Sequence, residues 1–458
     1  RSAWRELGAS GRLPQFILLC LGVWLHAADT LVTATIMPPV VEDIGGVAYV
    51  NWTISLYQIG SILAGAATGA LSRRLGLRRM LIGAAAVYGL GCIANALTPD
   101  MAIMLAARLV QGFGGGAMLT VSYVAIQLLF PERLWTRLMA IVAMIWGVAA
   151  LCGPLIGGLF AHAGIWRGLF WTFAAQAALL AAAALTLLGE NARDAPPPGR
   201  WPWWPLTLLA AATLLIAEAG AVARPALSVP LGAAGLGLLY GAARCDGRMG
   251  NRLLPAQLLD IGSALGAGLL MVFALSAATT AFWAYGPLIL QVAFAVDPLV
   301  SGYLMAAEAL AWSLCTVMTA GVRESRDWLV IRLGVAVIAV SGVGFIIVMP
   351  AGALPGILVC MLLQGAGFGL CWPFIVRRTV ILAPAHERGL AASAAPTVQR
   401  IGYAVGAAAA GIAANAAGLG DGITVETARA AAFWVFAAFL PLFAIGAAAA
   451  LRFTARPP

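Results

Sequence analysis

The sequence predicts an all-α polytopic membrane protein, with two six-helix bundles and two inserted helices that together make 14 transmembrane helices. Three observations carry this prediction: the composition, the recurrence of long apolar runs, and an internal repeat. Of the 458 residues, 62% are hydrophobic and 10% are charged, whereas a soluble domain carries about 25% charged residues. Apolar runs of about 20 residues have the length that a helix needs to cross a bilayer.

Fourteen such runs follow one another along the chain. The predicted spans cover residues 14–38, 49–71, 79–98, 101–129, 136–161, 165–188, 205–223, 226–243, 262–292, 301–321, 328–349, 353–383, 389–417 and 428–451. An even number of spans places both termini on the same side of the membrane.

The arginines indicate which side this is. If the N-terminus is cytoplasmic, the cytoplasmic loops and helix ends hold 22 arginines and the opposite side holds three. This asymmetry follows the positive-inside rule, so both termini are predicted to be cytoplasmic. Because the net charge of +9 is spread over short loops between apolar spans, the sequence gives no indication of nucleic-acid binding.

An internal repeat divides the chain. "RLVQGFGGGAMLTVSYVAI", which begins at Arg108, is echoed by "MLLQGAGFGLCWPFIVRRT" from Met361, with Gln111 and Gln364 at an offset of 253 residues. The repeat predicts an N-terminal bundle (1–190), a linker with two inserted helices (191–252) and a C-terminal bundle (253–458). Parallel repeats of this kind are typical of transporters, whose substrate sites lie near the bilayer midplane between the halves.

Asp29 lies in the middle of the first predicted span. A charged residue there costs about 2.5–3.5 kcal/mol on insertion scales. His26 and Thr33 lie one turn to either side, so one stripe of this helix is polar. Burial favours the neutral form of a carboxylate, which suits a proton carrier. The alternative is a structural aspartate that holds the helix to a neighbour.

A second intramembrane acid, Glu308, lies in the tenth span on one stripe with Trp312. It is a further candidate for proton coupling, with an interhelical hydrogen bond as the alternative. Glu218, in the inserted pair, lies near the end of its span, where a carboxylate can reach water.

Two arginines fall within spans. Arg108 shares a helix face with Gln111, and Arg400 lies in the thirteenth span. Each should reach a carboxylate, helix carbonyls or a wet cavity, in a structural role or in coupling and substrate binding.

Short stretches of the sequence resemble the major facilitator superfamily, and more narrowly its fourteen-helix drug:proton antiporters. "GALSRRLGLRRML" (69–81) is similar to the family's loop motif between the second and third helices, and "RLVQGFGGGA" (108–117) to its helix-four motif. "CGPLIGGLF" (152–160) is similar to the antiporter motif of the fifth helix, and "DTLVTATIMP" (29–38) to the motif of the first. The resemblance covers essentially the whole chain.

The resemblance implies roles for individual positions. Arg108 is associated with proton transfer, and Arg73 stands where the family has an aspartate of the cytoplasmic charge relay. The motif residues expected to act in gating are Gly69, Arg74, Gly76, Arg78, Gly153, Pro154, Gly157 and Gly158. For the last four, close helix packing is an alternative to a hinge.

The sequence therefore predicts a proton-coupled exporter that works by alternating access in the bacterial inner membrane. Its substrate is expected to be small and amphipathic or hydrophobic. The candidate substrate-binding residues are His26, Thr33, Gln111, Trp146, Trp283, Trp312 and Arg400. The acids suit a cation and the arginines an anion, so a dedicated exporter of an endogenous metabolite or lipid is the main alternative.

Two further classes are disfavoured. The three histidines are far apart, with no cluster for a metal or a nucleophile, so we expect neither an enzyme nor a cofactor. A non-transporting receptor is the other alternative. We expect a monomer, and no sequence feature supports the periplasmic adaptor that some members of the family use.

Overall fold

A computed structural model describes residues 11–46, 49–189, 201–222 and 224–455, and no strand occurs within these ranges. Fourteen helical segments there are long and apolar enough to cross a membrane, which confirms the predicted number of spans. Part of the predicted linker, residues 190–200, lies outside the described ranges. The chain is a multi-pass membrane protein.

The helices are numbered in chain order. They are α1 (Leu13–Ile44), α2 (Val50–Leu75), α3 (Leu77–Ala96), α4 (Met101–Leu129), α5 (Glu132–His162), α6 (Trp166–Leu187), α7 (Trp203–Ala221), α8 (Pro225–Gly247), α9 (Ala264–Ala278), α10 (Thr280–Phe294), α11 (Pro298–Thr319), α12 (Asp327–Val348), α13 (Leu354–Leu382), α14 (Arg388–Ala414), α15 (Val425–Ala437) and α16 (Leu440–Phe453).

Two of the predicted spans are interrupted in the structure. The ninth span consists of α9 and α10, which meet at Thr279, and the fourteenth consists of α15 and α16, which meet at a short turn. The first break has neither a glycine nor a proline at Thr279, whereas Pro441 lies in the first turn of α16, directly after the second break. The break at Thr279 leaves its carbonyl open to a side chain from another helix, as described below.

The chain divides into two compact units. The first comprises the chain up to Trp201 with Gly250–Leu253 and Gly389–Ser393, and the second comprises the rest. The inserted helices α7 and α8 belong to the second unit. The boundaries predicted at residues 190 and 252 stay predictions.

In the first unit, glycines of α4 allow α2 to approach closely. A Cβ atom on Gly112 would overlap the backbone of Tyr57, and a Cβ on Gly116 would overlap the backbone of Ser61. Small residues at a helix crossing let two backbones come together where lipid supplies no hydrophobic driving force. The "GFGGG" run of the sequence is therefore a packing surface of α4.

The same crossing recurs in the second unit. A Cβ on Gly365 of α13 would overlap the backbone of Glu308, and a Cβ on Gly369 would overlap that of Trp312. These glycines lie 253 residues after Gly112 and Gly116. The internal repeat is therefore a repeat of packing geometry, with α11 and α13 in the places of α2 and α4.

The inserted pair packs onto α14. Gly220 of α7 approaches the backbone of Ala408, and a Cβ on Gly411 would overlap the carbonyl of Gly220. One turn further, Asn415 Nδ2 donates to the Val222 carbonyl at 3.0 Å. The insertion is thus bound to the second unit by close backbone contact and by a hydrogen bond at the end of α7.

On one side of the first unit, the start of α6 is tied to the end of α1. Trp166 Nε1 donates to Asp43 Oδ2 at 3.2 Å, and Arg167 pairs with the same oxygen. The hydrogen bond from Arg167 lowers the pKa of Asp43 below its ordinary value. Arg167 Nη2 also donates to the Thr98 carbonyl at 3.0 Å, so one arginine joins three segments.

The close crossing of α2 and α4 predicts that Gly112→Ala destabilises the protein. The added methyl group has to displace backbone, and overpacking of this kind costs about 1–3 kcal/mol. The midpoint of thermal unfolding (Tm) in detergent should fall. Gly158→Ala is the matched control, because a Cβ at this helical glycine meets nothing within 4 Å. Equal Tm values for the two variants would contradict the crossing.

Candidate functional site

A buried ion pair joins α1 to α4. Arg108 Nη1 lies 2.9 Å from Asp29 Oδ1, and the two side chains are 1% and 0% exposed. Thr33 Oγ1 lies 3.1 Å from the same carboxylate oxygen. The two intramembrane charges compensate each other in a setting where an isolated charge is costly. Arg108 thus reaches a carboxylate, which is one of the surroundings expected for it from the sequence, and the roles of both residues stay predictions.

The guanidinium of Arg108 has three further contacts. Its Nη1 donates to Gln111 Oε1 at 2.8 Å, and its Nε donates to the Thr53 carbonyl at 3.3 Å. The ring of Tyr57 lies against it, with 4.4 Å between the guanidinium carbon and the ring centroid. Neutral acceptors and an aromatic face therefore hold the cation independently of Asp29.

Gln111 extends the cluster to α3. Its Oε1 also accepts from Asn95 Nδ2 at 2.8 Å, and its own Nε2 lies 3.1 Å from Cys92 Sγ. Asn95, Cys92 and Gln111 are each 0% exposed. A network that is buried and hydrogen-bonded on this scale fixes the positions of its members, so Arg108 is held in one place by its neighbours.

His26 lies at the other edge of the cluster. Its Nδ1 is 2.8 Å from the Tyr57 hydroxyl, and its ring meets the half-buried Trp146 edge-on, with centroids 5.9 Å apart. Tyr57 thus touches both the imidazole and the guanidinium. The structure brings together four residues predicted for substrate binding (His26, Thr33, Gln111 and Trp146) around the predicted Asp29–Arg108 pair.

The two oxygens of Asp29 are not equivalent. Oδ1 accepts from Arg108 and Thr33, whereas Oδ2 is buried and has no hydrogen-bond partner within the described parts of the chain. A buried carboxylate oxygen without a donor is unfavourable. Addition of a proton to Oδ2 would remove the negative charge and leave the Oδ1 contacts in place.

A second buried acid, Glu308, lies in α11. Its Oε2 accepts from Trp283 Nε1 of α10 at 2.6 Å, and its Oε1 accepts from Gln364 Nε2 of α13 at 2.9 Å. Glu308 is 5% exposed and Trp283 is 39% exposed. Gln364 also donates to the Thr279 carbonyl at 3.3 Å, at the break between α9 and α10. Glu308 therefore has two neutral donors and, among the described residues, no cationic partner.

Aromatic side chains surround the next turn of α11. Trp312 stacks on Phe368 with 4.8 Å between centroids and 8° between planes, and it meets Trp372 edge-on at 6.4 Å. Trp312 lies one turn after Glu308. The predicted site residues Glu308, Trp283 and Trp312 thus belong to one region of the second unit.

The remaining predicted residues lie elsewhere. Arg400 is buried in α14 at 7% exposure. Gly153 and Gly157 pack on Leu31 and Thr35 of α1. A Cβ on Gly158 would meet nothing within 4 Å, and the side chain of Pro154 is outside the described part of the chain.

The loop motif lies between α2 and α3. Gly76 has a φ of +78°, which a residue with a side chain rarely adopts. Gly69 packs on the Gly389–Ser393 segment, and the guanidinium of Arg74 lies over the ring of Trp201 at 5.2 Å. Arg78 is half-buried in the first turn of α3. The gating roles of these residues stay predictions.

Contributors such as Tyr57, Asn95, Thr53 and Gln364 are not among the site residues predicted from the sequence. A signal existed for Asn95, which is an isolated amide in the apolar run "GCIANAL", and for Gln364, which is the repeat partner of Gln111. Thr53 contributes a carbonyl that no residue type can reveal.

A family profile for the Major Facilitator Superfamily matches residues 19–407. The chain belongs to this superfamily of membrane transporters, as the sequence resemblance predicted. Its fourteen spans and the repeat of its packing geometry agree with that assignment.

Two proteins with similar sequences have names that state a transport function. A probable multidrug-efflux transporter of Mycobacterium tuberculosis is 32% identical over 466 residues, which cover 99% of this chain and 97% of that protein. A multidrug efflux pump of Staphylococcus aureus, SdrM, is 24% identical over 155 residues, or 34% of this chain and 35% of that protein.

Two solved structures share the fold. The human organic anion transporter MFSD10 has a TM-score of 0.67 at 15% identity, over 94% of this chain and 99% of that one. The fucose:proton symporter of E. coli has a TM-score of 0.60 at 13% identity, over 95% of this chain and 99% of that one.

The Asp29–Arg108 pair predicts a large loss of stability for Arg108→Met, which leaves Asp29 buried without its cation. Breaking a buried pair costs about 3–5 kcal/mol, whereas replacing both charges by apolar residues is often nearly neutral. The double variant Asp29→Leu/Arg108→Met should therefore recover part of the Tm lost in the single variant. A double variant as unstable as the sum of the two single variants would count against a direct pair.

Proposed function

We propose that this protein is a proton-coupled exporter of small amphipathic or hydrophobic compounds and that Asp29 carries the coupled proton. The observation that carries the proposal is the arrangement at Asp29. One carboxylate oxygen is held by Arg108, and the other is buried without a partner among the described residues. Such a carboxylate can change its protonation state without losing its place.

The surroundings of Arg108 support this role. When Asp29 takes up a proton, the guanidinium loses its anionic partner and has to keep its charge inside the membrane. The contacts to Gln111, Thr53 and Tyr57 then hold it. These contacts would keep the guanidinium in the same place whether or not Asp29 carries a proton.

Proton binding changes the net charge of the Asp29–Arg108 pair from zero to +1. A change of one unit in a region of low dielectric alters which conformation is favoured, and this is the step that would couple proton movement to alternating access. Glu308 is the predicted second group for coupling. Its surroundings differ from those of Asp29, because the described hydrogen-bond donors to Glu308 are the neutral side chains of Trp283 and Gln364.

The similarity to multidrug-efflux proteins supports export as the direction of transport. The aromatic groups at Trp146, Trp283 and Trp312 suit an amphipathic compound. The alternative, a dedicated exporter of an endogenous metabolite or lipid, predicts transport of one compound class alone. We further propose that the protein resides in a bacterial inner membrane with both termini in the cytoplasm.

Asp29→Asn tests the proposal. The amide retains the shape of the side chain and can still accept from Arg108, but it carries no titratable proton. In proteoliposomes with an imposed pH gradient, wild-type protein should drive accumulation of the fluorescent probe ethidium or Hoechst 33342, and Asp29→Asn should not. Exchange of the probe across the membrane without a gradient should persist in the variant.

The matched control is Glu218→Gln, because Glu218 is an exposed carboxylate within the membrane span of α7. This variant should transport like the wild type. Gradient-driven accumulation by Asp29→Asn at the wild-type rate would refute Asp29 as the proton carrier.

A further inference from the structure

The last turn of α16 is capped by arginines from two neighbouring helices. The first is Arg332 of α12, whose Nε donates to Thr454 Oγ1 at 2.7 Å and whose Nη2 donates to the Leu451 carbonyl at 3.5 Å. The last carbonyls of a helix have no partner within the helix. A guanidinium placed there satisfies them and interacts favourably with the negative end of the helix dipole.

The second capping residue is Arg378 of α13. Its Nε donates to the Phe453 carbonyl at 2.9 Å, and its Nη2 donates to the Ala455 carbonyl at 3.1 Å. The acceptors of both arginines lie within residues 451–455. Arg332 and Arg378 therefore form an arginine pair that places two positive charges beside one helix end.

The arginine pair carries more positive charge than its surroundings balance. Neither guanidinium forms an ion pair with a carboxylate in the part of the chain that the structure describes. Asp327, in the first turn of α12, is paired with Arg377 at 2.6 Å between Oδ2 and Nη1. A helix end supplies about half a negative charge, which is less than the two positive charges beside it. An anion would balance the remainder.

Both guanidinium groups also retain donors for such an anion. The contacts to α16 use Nε and Nη2 of each side chain, and neither Nη1 atom has a hydrogen-bond acceptor among the described residues. Both side chains are half-buried, so each keeps some exposed surface. Adjacent N–H groups of a guanidinium match the spacing of two phosphate oxygens. The arginine pair therefore has the chemistry of a phosphate site.

Apolar side chains surround the arginine pair on the outer surface of the protein. Leu329 and Leu333 of α12 are 49% and 52% exposed, and Leu451 of α16 is 58% exposed. The guanidinium of Arg332 lies over the ring of Trp328, 5.4 Å from its centroid. Exposed leucines on a membrane-spanning helix face acyl chains, and tryptophan is enriched where the hydrocarbon meets the headgroups. The surroundings therefore suit a lipid better than a soluble ion.

We propose that Arg332 and Arg378 bind the phosphate group of an anionic phospholipid, whose acyl chains lie along the exposed leucines of α12 and α16. Basic groups between membrane helices are a known mode of headgroup recognition. In the proposed orientation of the chain, the lipid belongs to the cytoplasmic leaflet. The inference does not depend on proton coupling or on the exported compound.

The bound lipid would stabilise the end of the chain. Its headgroup would contact α12 and α13, both of which already hold the last turn of α16. Because α16 follows the break in the fourteenth span, its position depends on contacts of its own and not on continuity with α15. A ligand that binds the folded state alone raises its stability.

Lipid binding to the detergent-purified full chain, measured by native mass spectrometry, tests the proposal. Phosphatidylglycerol is the anionic probe, and phosphatidylcholine with the same acyl chains is the zwitterionic one. The wild type should bind phosphatidylglycerol more tightly. Arg332→Gln/Arg378→Gln should weaken the first bound phosphatidylglycerol by about tenfold or more, as expected for loss of charged contacts. Binding of phosphatidylcholine should change by less than about twofold.

The matched control removes two positive charges elsewhere on the same membrane side. Arg244 and Arg248 are exposed at the end of α8, before the loop that leads to α9. Gly262, at the end of that loop, accepts from Arg452 Nε of α16 at 2.8 Å, so the loop and the end of α16 share one side. Arg244→Gln/Arg248→Gln should bind phosphatidylglycerol like the wild type.

A second variant separates lipid binding from the capping of α16. Arg332→Lys/Arg378→Lys keeps both charges and loses the paired N–H groups. It should bind phosphatidylglycerol more weakly than the wild type and more tightly than the glutamine variant. The Tm without added lipid establishes which variants are folded, and the lysine variant decides the question if the glutamine variant is not.

The proposal is overturned if the folded glutamine variant, or the lysine variant in its place, binds phosphatidylglycerol like the wild type. Equal weakening by the control variant, or a wild type without preference for phosphatidylglycerol, would also overturn it. Inorganic phosphate is added as a competitor in a separate measurement. It should leave the bound lipid in place, and displacement of the lipid by free phosphate would identify a soluble anion as the ligand instead.

Discussion

The requirement that a charge inside a bilayer be compensated within the protein governs the arrangement of this molecule. Hydrocarbon offers no water and no counter-ion, so each buried charge needs a partner at a fixed place. In the first unit the partner of Asp29 is Arg108, and the polar residues of α1, α2, α3 and α4 are arranged around that contact. The helix positions follow from this need together with the glycines that let the backbones meet.

The two units share a helix-crossing geometry but differ in the side chains at the crossing. Both units cross a glycine-bearing helix against a neighbour at the same two positions, with Gly112 and Gly116 in one unit and Gly365 and Gly369 in the other. The side chains at the crossing have diverged, since Tyr57 stands opposite an arginine and Glu308 stands opposite neutral donors. A duplicated scaffold can therefore hold two different polar environments, one with a buried ion pair and one with an acid held by neutral donors.

Much of the fold could be predicted because the bilayer imposes simple rules on length and polarity. The length of each span and the polar stripe of α1 are properties of one helix at a time, and the pattern of residues reports them directly. The repeat is found by comparing the two halves of the sequence. The partner of Arg108 depends on which helices cross and in what rotation, and no single helix contains that information. The break at Thr279 depends likewise on tertiary packing, since its open carbonyl is matched by Gln364 of α13.

The neighbours that hold Asp29 come largely from other helices. Within α1, the positions two and five residues after Asp29 are the apolar Leu31 and Ala34. In this chain the carboxylate is instead held by Thr33 and Arg108, and Tyr57 links the arginine to His26. Because the compensating groups come from α2 and α4, the first helix is free to lose polar residues while the charge stays balanced. The charge of Asp29 is balanced by a residue of another helix, so a motif confined to one helix describes the site incompletely.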